Sequence, residues 1–324
     1  MKKKIFKGIG IFIGILALGI AGLLTYVKTS LPNVGSAPEL KIQGTNEQIA
    51  RGKYLAHSVA ACMDCHSTRD WSKYSGPLVE GTLGMGGEIF DQRAGLPGAF
   101  YSKNITPEGI TRYTDGELLR AITSGVTKEG KPLFPIMPHP NYGRTDIEDM
   151  KAIIAYIRTL APIKNEVPES KADFPMNFIL NTIPQKPAFV KKPDTSDVLA
   201  YGSYLVTMAS CEECHTPAEK GQKLPGMNFA GGFKFQMPGG LLISPNISPS
   251  TTTGIGNWTK EQFLARFKAA TDSNFTRPVG EKDFNTIMPW TMYATMTESD
   301  LSAIYAYLRS VPAVDNKIVR WTKN

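Results

Sequence analysis

The feature that most constrains this chain is an internal duplication. Gly52-Lys53-Tyr54-Leu55 precedes Cys62-Met63-Asp64-Cys65-His66, and Gly202-Ser203-Tyr204-Leu205 precedes Cys211-Glu212-Glu213-Cys214-His215. Asn104-Ile105-Thr106-Pro107 matches Asn246-Ile247-Ser248-Pro249, and Gly109-Ile110 with Tyr113-Thr114 matches Gly254-Ile255 with Trp258-Thr259. Ile136-Met137-Pro138 with Tyr142 matches Ile287-Met288-Pro289 with Tyr293, and Ala155-Tyr156-Ile157-Arg158 matches Ala306-Tyr307-Leu308-Arg309. The order is the same in both copies, and the offset stays between 142 and 151 residues. A repeat held in register over that length makes each copy a folding unit of its own, and 324 residues hold two such units plus connecting chain. Between them, residues 166–194 carry Pro168, Pro175, Pro184, Pro187 and Pro193, which reads as a linker that wraps or spaces the domains. Within it, the run Phe174–Leu180 is apolar enough to pack on a domain surface.

Each copy predicts three main helices joined by long loops. The first runs into the cysteine motif, over 46–63 and 195–212. The second starts at Thr114 and at Thr259, where Glu117 and Gln262 complete capping boxes. The third starts at Thr145 and Thr297, with Glu148 and Asp300 in the matching places. Met150, Ile153, Ile154 and Ile157 fall on one face of that helix, as do Leu301, Ile304, Tyr305 and Leu308. Pro162 and Pro312 stop it. Gly52 and Gly202 are placed to let the first and last helices of each copy cross closely, against Tyr156 and Tyr307. Loops this long are unusual in a compact domain unless something other than secondary structure fills the middle.

C-x-x-C-H supplies that something, because it is the attachment signature of haem c. Two cysteines three apart on one helical turn reach the two vinyl groups of one porphyrin and form thioethers. The next residue, a histidine, then sits beneath the ring and gives the iron a nitrogen. Cys62, Cys65 and His66 make one such set, and Cys211, Cys214 and His215 the other. A zinc ribbon places its cysteine pairs about 15–20 residues apart, and Cys65 and Cys211 are far more distant. A redox dithiol needs a strand before its helix and no histidine. For the sixth ligand the candidates are Met137 and Met288, matched in position and each in a Met-Pro step before the last helix. His139 is the alternative to Met137, but its counterpart is Trp290. His57 lies on the proximal side, and Met292 and Met296 have no methionine counterparts in the first copy. Asn104 and Asn246 read as loop braces, and Tyr142 and Tyr293 as residues packing on the haem edge. No matched position suggests a nucleophile, a carboxylate pair or a phosphate-cradling loop.

The N-terminus sets the compartment. Twenty uncharged residues lie between Lys7 and Lys28, long enough to cross a bilayer. Lys2, Lys3, Lys4 and Lys7 in front of them keep the N-terminus cytoplasmic, so the rest of the chain is exported. A retained anchor is the expectation for residues 1–28, and a cleaved signal is its rival. Five of the positive charges sit in this segment, so the net charge of +7 leaves only about +2 for the remainder. That balance is too even for a nucleic-acid-binding face.

The motifs resemble class I cytochromes c, once over residues 45–165 and again over 195–314, with the C-terminal tail completing the second unit to 324. The run Asn-Ile-Thr/Ser-Pro, Gly-Ile, Tyr/Trp-Thr is similar to the cytochrome c subunits of membrane-bound alcohol and gluconate dehydrogenases. The resemblance implies a mainly α fold of two tandem cytochrome c domains, each wrapped round one covalent haem c, behind an N-terminal transmembrane helix. It implies thioethers at Cys62, Cys65, Cys211 and Cys214, and axial ligands His66 with Met137 and His215 with Met288. The function it implies is single-electron relay rather than catalysis. A dehydrogenase would be the donor, and an oxidase, a quinone or another cytochrome the acceptor, on the periplasmic side of a bacterial cytoplasmic membrane. Those subunits usually bear three haems, whereas this chain carries two motifs. The competing expectation is a dihaem enzyme, such as a peroxidase or a sulfur-compound oxidase, which would need an open iron site. A haem-based sensor is a third, with no signalling domain in the sequence to support it.

Overall fold

The computed structural model describes residues 2–323. Lys2–Ser30 is a single helix, roughly 43 Å long at helical rise. It is long and apolar enough to cross a membrane, and its apolar side chains are exposed rather than packed into the protein body. After it the chain runs extended along the first copy. Ile42 N–H donates to Asp115 Oδ2 at 2.8 Å, and the Pro38 carbonyl lies against Gly116.

The two copies then repeat one plan. In the first, helix Asn46–Tyr54 crosses helix Ile147–Ile157; in the second, Val198–Met208 crosses Glu298–Ser310. The crossing depends on glycine. A Cβ on Gly52 would stand 1.8 Å from the Ala152 carbonyl oxygen and 2.9 Å from Tyr156 Cβ. On Gly202 it would stand 2.1 Å from the Ala303 oxygen and 2.9 Å from Tyr307 Cβ. The expected capping boxes form: Thr114 opens Asp115–Ser124, and Thr259 opens Lys260–Lys268. Leu55, Val59, Met63, Met150 and Ile154 are fully buried in the first copy, and Leu205, Met208, Met296, Leu301 and Leu308 in the second. Each such side chain contributes about 1.5–3 kcal/mol by leaving water. One apolar cluster runs through both copies.

Two expectations need correction. The first helices do not run through to the cysteines. In the first copy the helix loosens into a π turn over Leu55–Val59, and then Ala61 takes a left-handed φ of 47°. In the second it ends at Met208, and Ser210 takes a φ of 55°. A separate turn, Cys62–Cys65 or Cys211–His215, then carries the motif. Thr145 does not cap the last helix of the first copy. Its hydroxyl bonds the Tyr142 carbonyl at 2.8 Å, and Asp146 accepts from Glu148 N–H instead. The linker wraps the first copy. Lys171–Ala172 pairs antiparallel with Gly98–Tyr101, which itself pairs with Ile89–Phe90. The second copy does the same with Lys234–Met237, Gly240–Ile243 and the C-terminal strand Trp321–Lys323.

The copies meet about a local pseudo-two-fold. Tyr54 Oη donates to Asp300 Oδ2 at 2.5 Å and accepts from Thr297 N–H at 3.1 Å. Its counterpart Tyr204 Oη donates to Asp149 Oδ2 at 2.7 Å and accepts from Asp146 N–H at 3.2 Å.

Candidate haem centres

The left-handed residues Ala61 and Ser210 turn the chain so that the motif begins a fresh helical turn. On that turn two cysteines at i and i+3 and a histidine at i+4 share one face. Both turns open on one cavity of about 2970 Å³, lined by Cys62, Cys65, His66, Cys211, Cys214 and His215. Burial pushes the thiols of Cys62, Cys65 and Cys211 up to about 12, and that of Cys214 to about 11. These are protonated thiols, unlike the low-pKa thiolates of redox dithiols. Among the described residues no three His, Cys, Asp or Glu side chains gather as a metal-ion cage would require.

The two histidines are held alike. His66 Nδ1 bonds the Lys103 carbonyl at 2.7 Å, and His215 Nδ1 bonds the Pro245 carbonyl at 2.9 Å. Each carbonyl belongs to the residue just before a matched asparagine. Asn104 accepts from Thr106 N–H at 3.0 Å and donates to the Ile163 carbonyl at 2.8 Å. Asn246 accepts from Ser248 N–H at 2.9 Å and donates to the Val314 carbonyl at 2.7 Å. The asparagines are loop braces, as their sequence suggests, and the braced loop is the one that orients the imidazole. Burial lowers the pKa of both histidines, which favours the neutral ring, and the bond at Nδ1 leaves Nε2 as the nitrogen available to a metal.

Met137 and Met288 line the same cavity, each half-buried. Their backbones are superposable in pattern: His139 N–H reaches the Met137 carbonyl and Trp290 N–H the Met288 carbonyl, both at 2.7 Å. Tyr142 Oη donates to the Ala60 carbonyl at 3.1 Å, and Tyr293 Oη to the Ala209 carbonyl at 2.8 Å. Each tyrosine so ties a methionine loop to the turn preceding a cysteine motif, while its ring faces the cavity. Between histidine and methionine the wall is apolar and matched. Ile105, Ile110, Tyr113, Leu118, Ile153 and Ile157 stand in the first copy where Ile247, Ile255, Trp258, Phe263, Ile304 and Leu308 stand in the second.

Met176 and Met237 also line the cavity, whereas the alternative ligands weighed in the sequence lie elsewhere. His139 is 1 % exposed and packs against Gly125, outside the cavity wall; burial lowers its pKa to about 4. His57 Nε2 pairs with Tyr156 Oη at 2.6 Å. Met292 and Met296 are buried in the core. Sequence reading missed the cations beside the cysteine turns. Arg69 pairs with Asp64 at 2.8 Å and lies over Trp71 at 4.1 Å. Lys223 pairs with Glu213 at 2.8 Å and Glu212 at 3.2 Å. Each cation meets an acid lying between the two cysteines, but the cations occupy unmatched positions and carried no repeat signal.

The donor set fits haem c: paired thiols on a turn, a buried histidine, a thioether lining the same cavity and an apolar wall, twice. The cytochrome c family profile matches residues 199–312. The cytochrome c subunit of a quinone-dependent alcohol dehydrogenase from Gluconacetobacter polyoxogenes is 28% identical over 283 residues, covering 82% of this chain and 56% of that protein. The cytochrome subunit of a fructose dehydrogenase from Gluconobacter japonicus is 31% identical, covering 82% of this chain and 53% of its own length. A diheme cytochrome c-type protein from Cereibacter sphaeroides is 26% identical over 325 residues, covering 97% of this chain and 100% of that protein. The chain thus spans about half the length of the dehydrogenase subunits it matches.

Proposed function

We propose, from the premise that this chain carries a cytochrome c domain and is homologous to dehydrogenase cytochrome c subunits and a diheme cytochrome, that it binds two haem c groups and relays single electrons. When bound, each haem supplies a reversible one-electron iron couple. The domains are residues 45–165 and 195–324, joined by 166–194. Cys62 with Cys65, and Cys211 with Cys214, form the thioethers. His66 and His215 would hold the iron through Nε2, and the bonds from Nδ1 to the Lys103 and Pro245 carbonyls fix the ring planes. Met137 and Met288 would supply a thioether ligand to each iron, which raises the potential relative to a second imidazole. The matched apolar walls exclude water from the iron. The observation that carries this reading is the paired construction itself: every group needed for one centre recurs at the equivalent place in the other.

Residues 1–28 act as a membrane anchor, with the haem domains on the periplasmic face. The donor is a dehydrogenase, and the acceptor an oxidase, a quinone or another cytochrome. Absorption spectra of the holoprotein test the assignment. Two six-coordinate low-spin haems with the near-infrared sulfur-to-iron band are expected. A high-spin centre, or peroxide-dependent turnover, would instead make it a dihaem enzyme.

A further inference from the structure

The linker contains a second surface with a chemistry of its own. From Phe174 to Gln185 it holds no charged residue. Phe174 is 79% exposed and Ile179 45%, in a chain whose other large apolar residues are mostly buried outside the N-terminal helix. Exposure of this kind marks a surface that meets a partner. The partner is indicated by position. Phe178 lies under Lys28, with Nζ 5.8 Å from the ring centroid, and Lys28 is the basic residue that closes the apolar N-terminal helix. The patch therefore stands at the end of the span, where lysines snorkel and aromatic residues collect. Part of the backbone there is paired within the segment, which lowers the cost of an apolar surrounding. Asn177 N–H bonds the Asp173 carbonyl, Phe178 and Ile179 N–H bond the Pro175 carbonyl, and Asn181 Nδ2 bonds the Asn177 carbonyl at 3.0 Å.

We propose that residues 174–180 bed in the interfacial layer of the same bilayer that the N-terminal helix enters. This rests on the anchor reading given above. The consequence is directional. Met176 and Leu180, in the same short segment, line the cavity on the side of the first copy. One turn of chain is thus the wall between lipid and the first centre, and it turns that centre, rather than the second, toward the membrane.

The test is site-directed spin labelling of the full-length holoprotein in phosphatidylcholine–phosphatidylglycerol vesicles. The four native cysteines are consumed as thioethers, so one added cysteine takes the nitroxide. Collision with lipid-soluble oxygen is compared with collision with a water-soluble nickel chelate for Phe174→Cys, Ile179→Cys, Leu18→Cys and Val319→Cys. Haem absorbance confirms that each variant is assembled. Expected is an oxygen-to-nickel ratio at 174 and 179 several-fold above that at Val319→Cys, an exposed site on the second copy. Ratios at 174 and 179 equal to that at 319, with Leu18→Cys still oxygen-dominated, would overturn the inference while leaving the anchor intact. A nickel-accessible Leu18→Cys would remove both.

Discussion

In the first copy Asp149 takes two bonds from Arg51, at 2.8 and 2.9 Å, and a third across the interface from Tyr204. In the second, the matched Asp300 pairs with no cation among the described residues. Tyr201 stands where Arg51 stood and reaches it at 3.1 Å, and Tyr54 supplies the cross-interface bond. Burial, reinforced by the neighbouring Asp300, pushes the Tyr201 hydroxyl up to about 12. The backbone symmetry survives because glycine crossings and helix starts dictate it. The charge chemistry diverges because several donors can satisfy a buried carboxylate at a helix N-terminus. The copies also brace each other's methionine loops by different groups. Ser75 of the first copy donates through Oγ to the Met288 carbonyl at 2.7 Å and through N–H to Asn285 Oδ1 at 2.9 Å. The methionine loop of the second copy is therefore braced by the first. The Met137 loop is braced differently: Phe134 stacks on Phe100 of its own copy at 4.0 Å, and Asn141 Nδ2 reaches Ser210 Oγ at 3.1 Å and Glu213 Oε1 at 3.2 Å in the second copy.

The shared part of the plan breaks most sharply at the crossings. Gly52→Ala and Gly202→Ala should each cost about 3 kcal/mol or more in denaturant unfolding, because the new methyl meets a backbone carbonyl that cannot step aside. A cost near zero at either site would show that the two crossings are not equivalent.

The interface tyrosines come next. Tyr54→Phe should cost about 2 kcal/mol and Tyr204→Phe about 1 kcal/mol, since only Asp149 keeps an arginine. Equal costs would mean that Arg51 adds nothing. Asn285→Ala removes the acceptor of Ser75 N–H and the donor to the Lys73 carbonyl, at about 1.5 kcal/mol. It should shift the sulfur-to-iron band of the Met288 centre and leave the Met137 centre unchanged. Two bands moving together would contradict separate bracing of the two loops.

The smallest effect is with pH. Burial, reinforced by Lys53, lowers the pKa of His57, whose counterpart is Thr207. Unfolded, the ring binds a proton near its ordinary value of 6.5, while the folded protein resists doing so until lower pH. Stability is therefore full above that value and falls as pH drops below it. His57→Gln should flatten this slope in pH-dependent unfolding, and an unchanged slope would assign it to other groups.

Much of this was legible in the sequence. The duplication, the cysteine turns, the glycine crossings and both capping boxes depend on local residue types in fixed order. The strands were not, because elements of two to four residues carry no readable alternation. Ala61 and Ser210 gave no sign of left-handed backbone, which glycine would have announced. Thr145 and Asp146 are both competent caps, and the choice was made by contacts far away. Asp146 also accepts from Lys192 N–H in the linker at 2.7 Å. Tyr54 and Tyr204 were visible as matched residues. Their role was not, because Tyr54 meets its partner 246 positions downstream.

The central claim is a covalent haem on each half of the chain. Intact-mass analysis of the denatured holoprotein, from cells able to mature such cytochromes, tests it directly. The account predicts the polypeptide plus two porphyrins, falling to one when Cys62 and Cys65, or Cys211 and Cys214, are replaced by alanine. A bare polypeptide mass, or a single porphyrin on the unaltered chain, would contradict it.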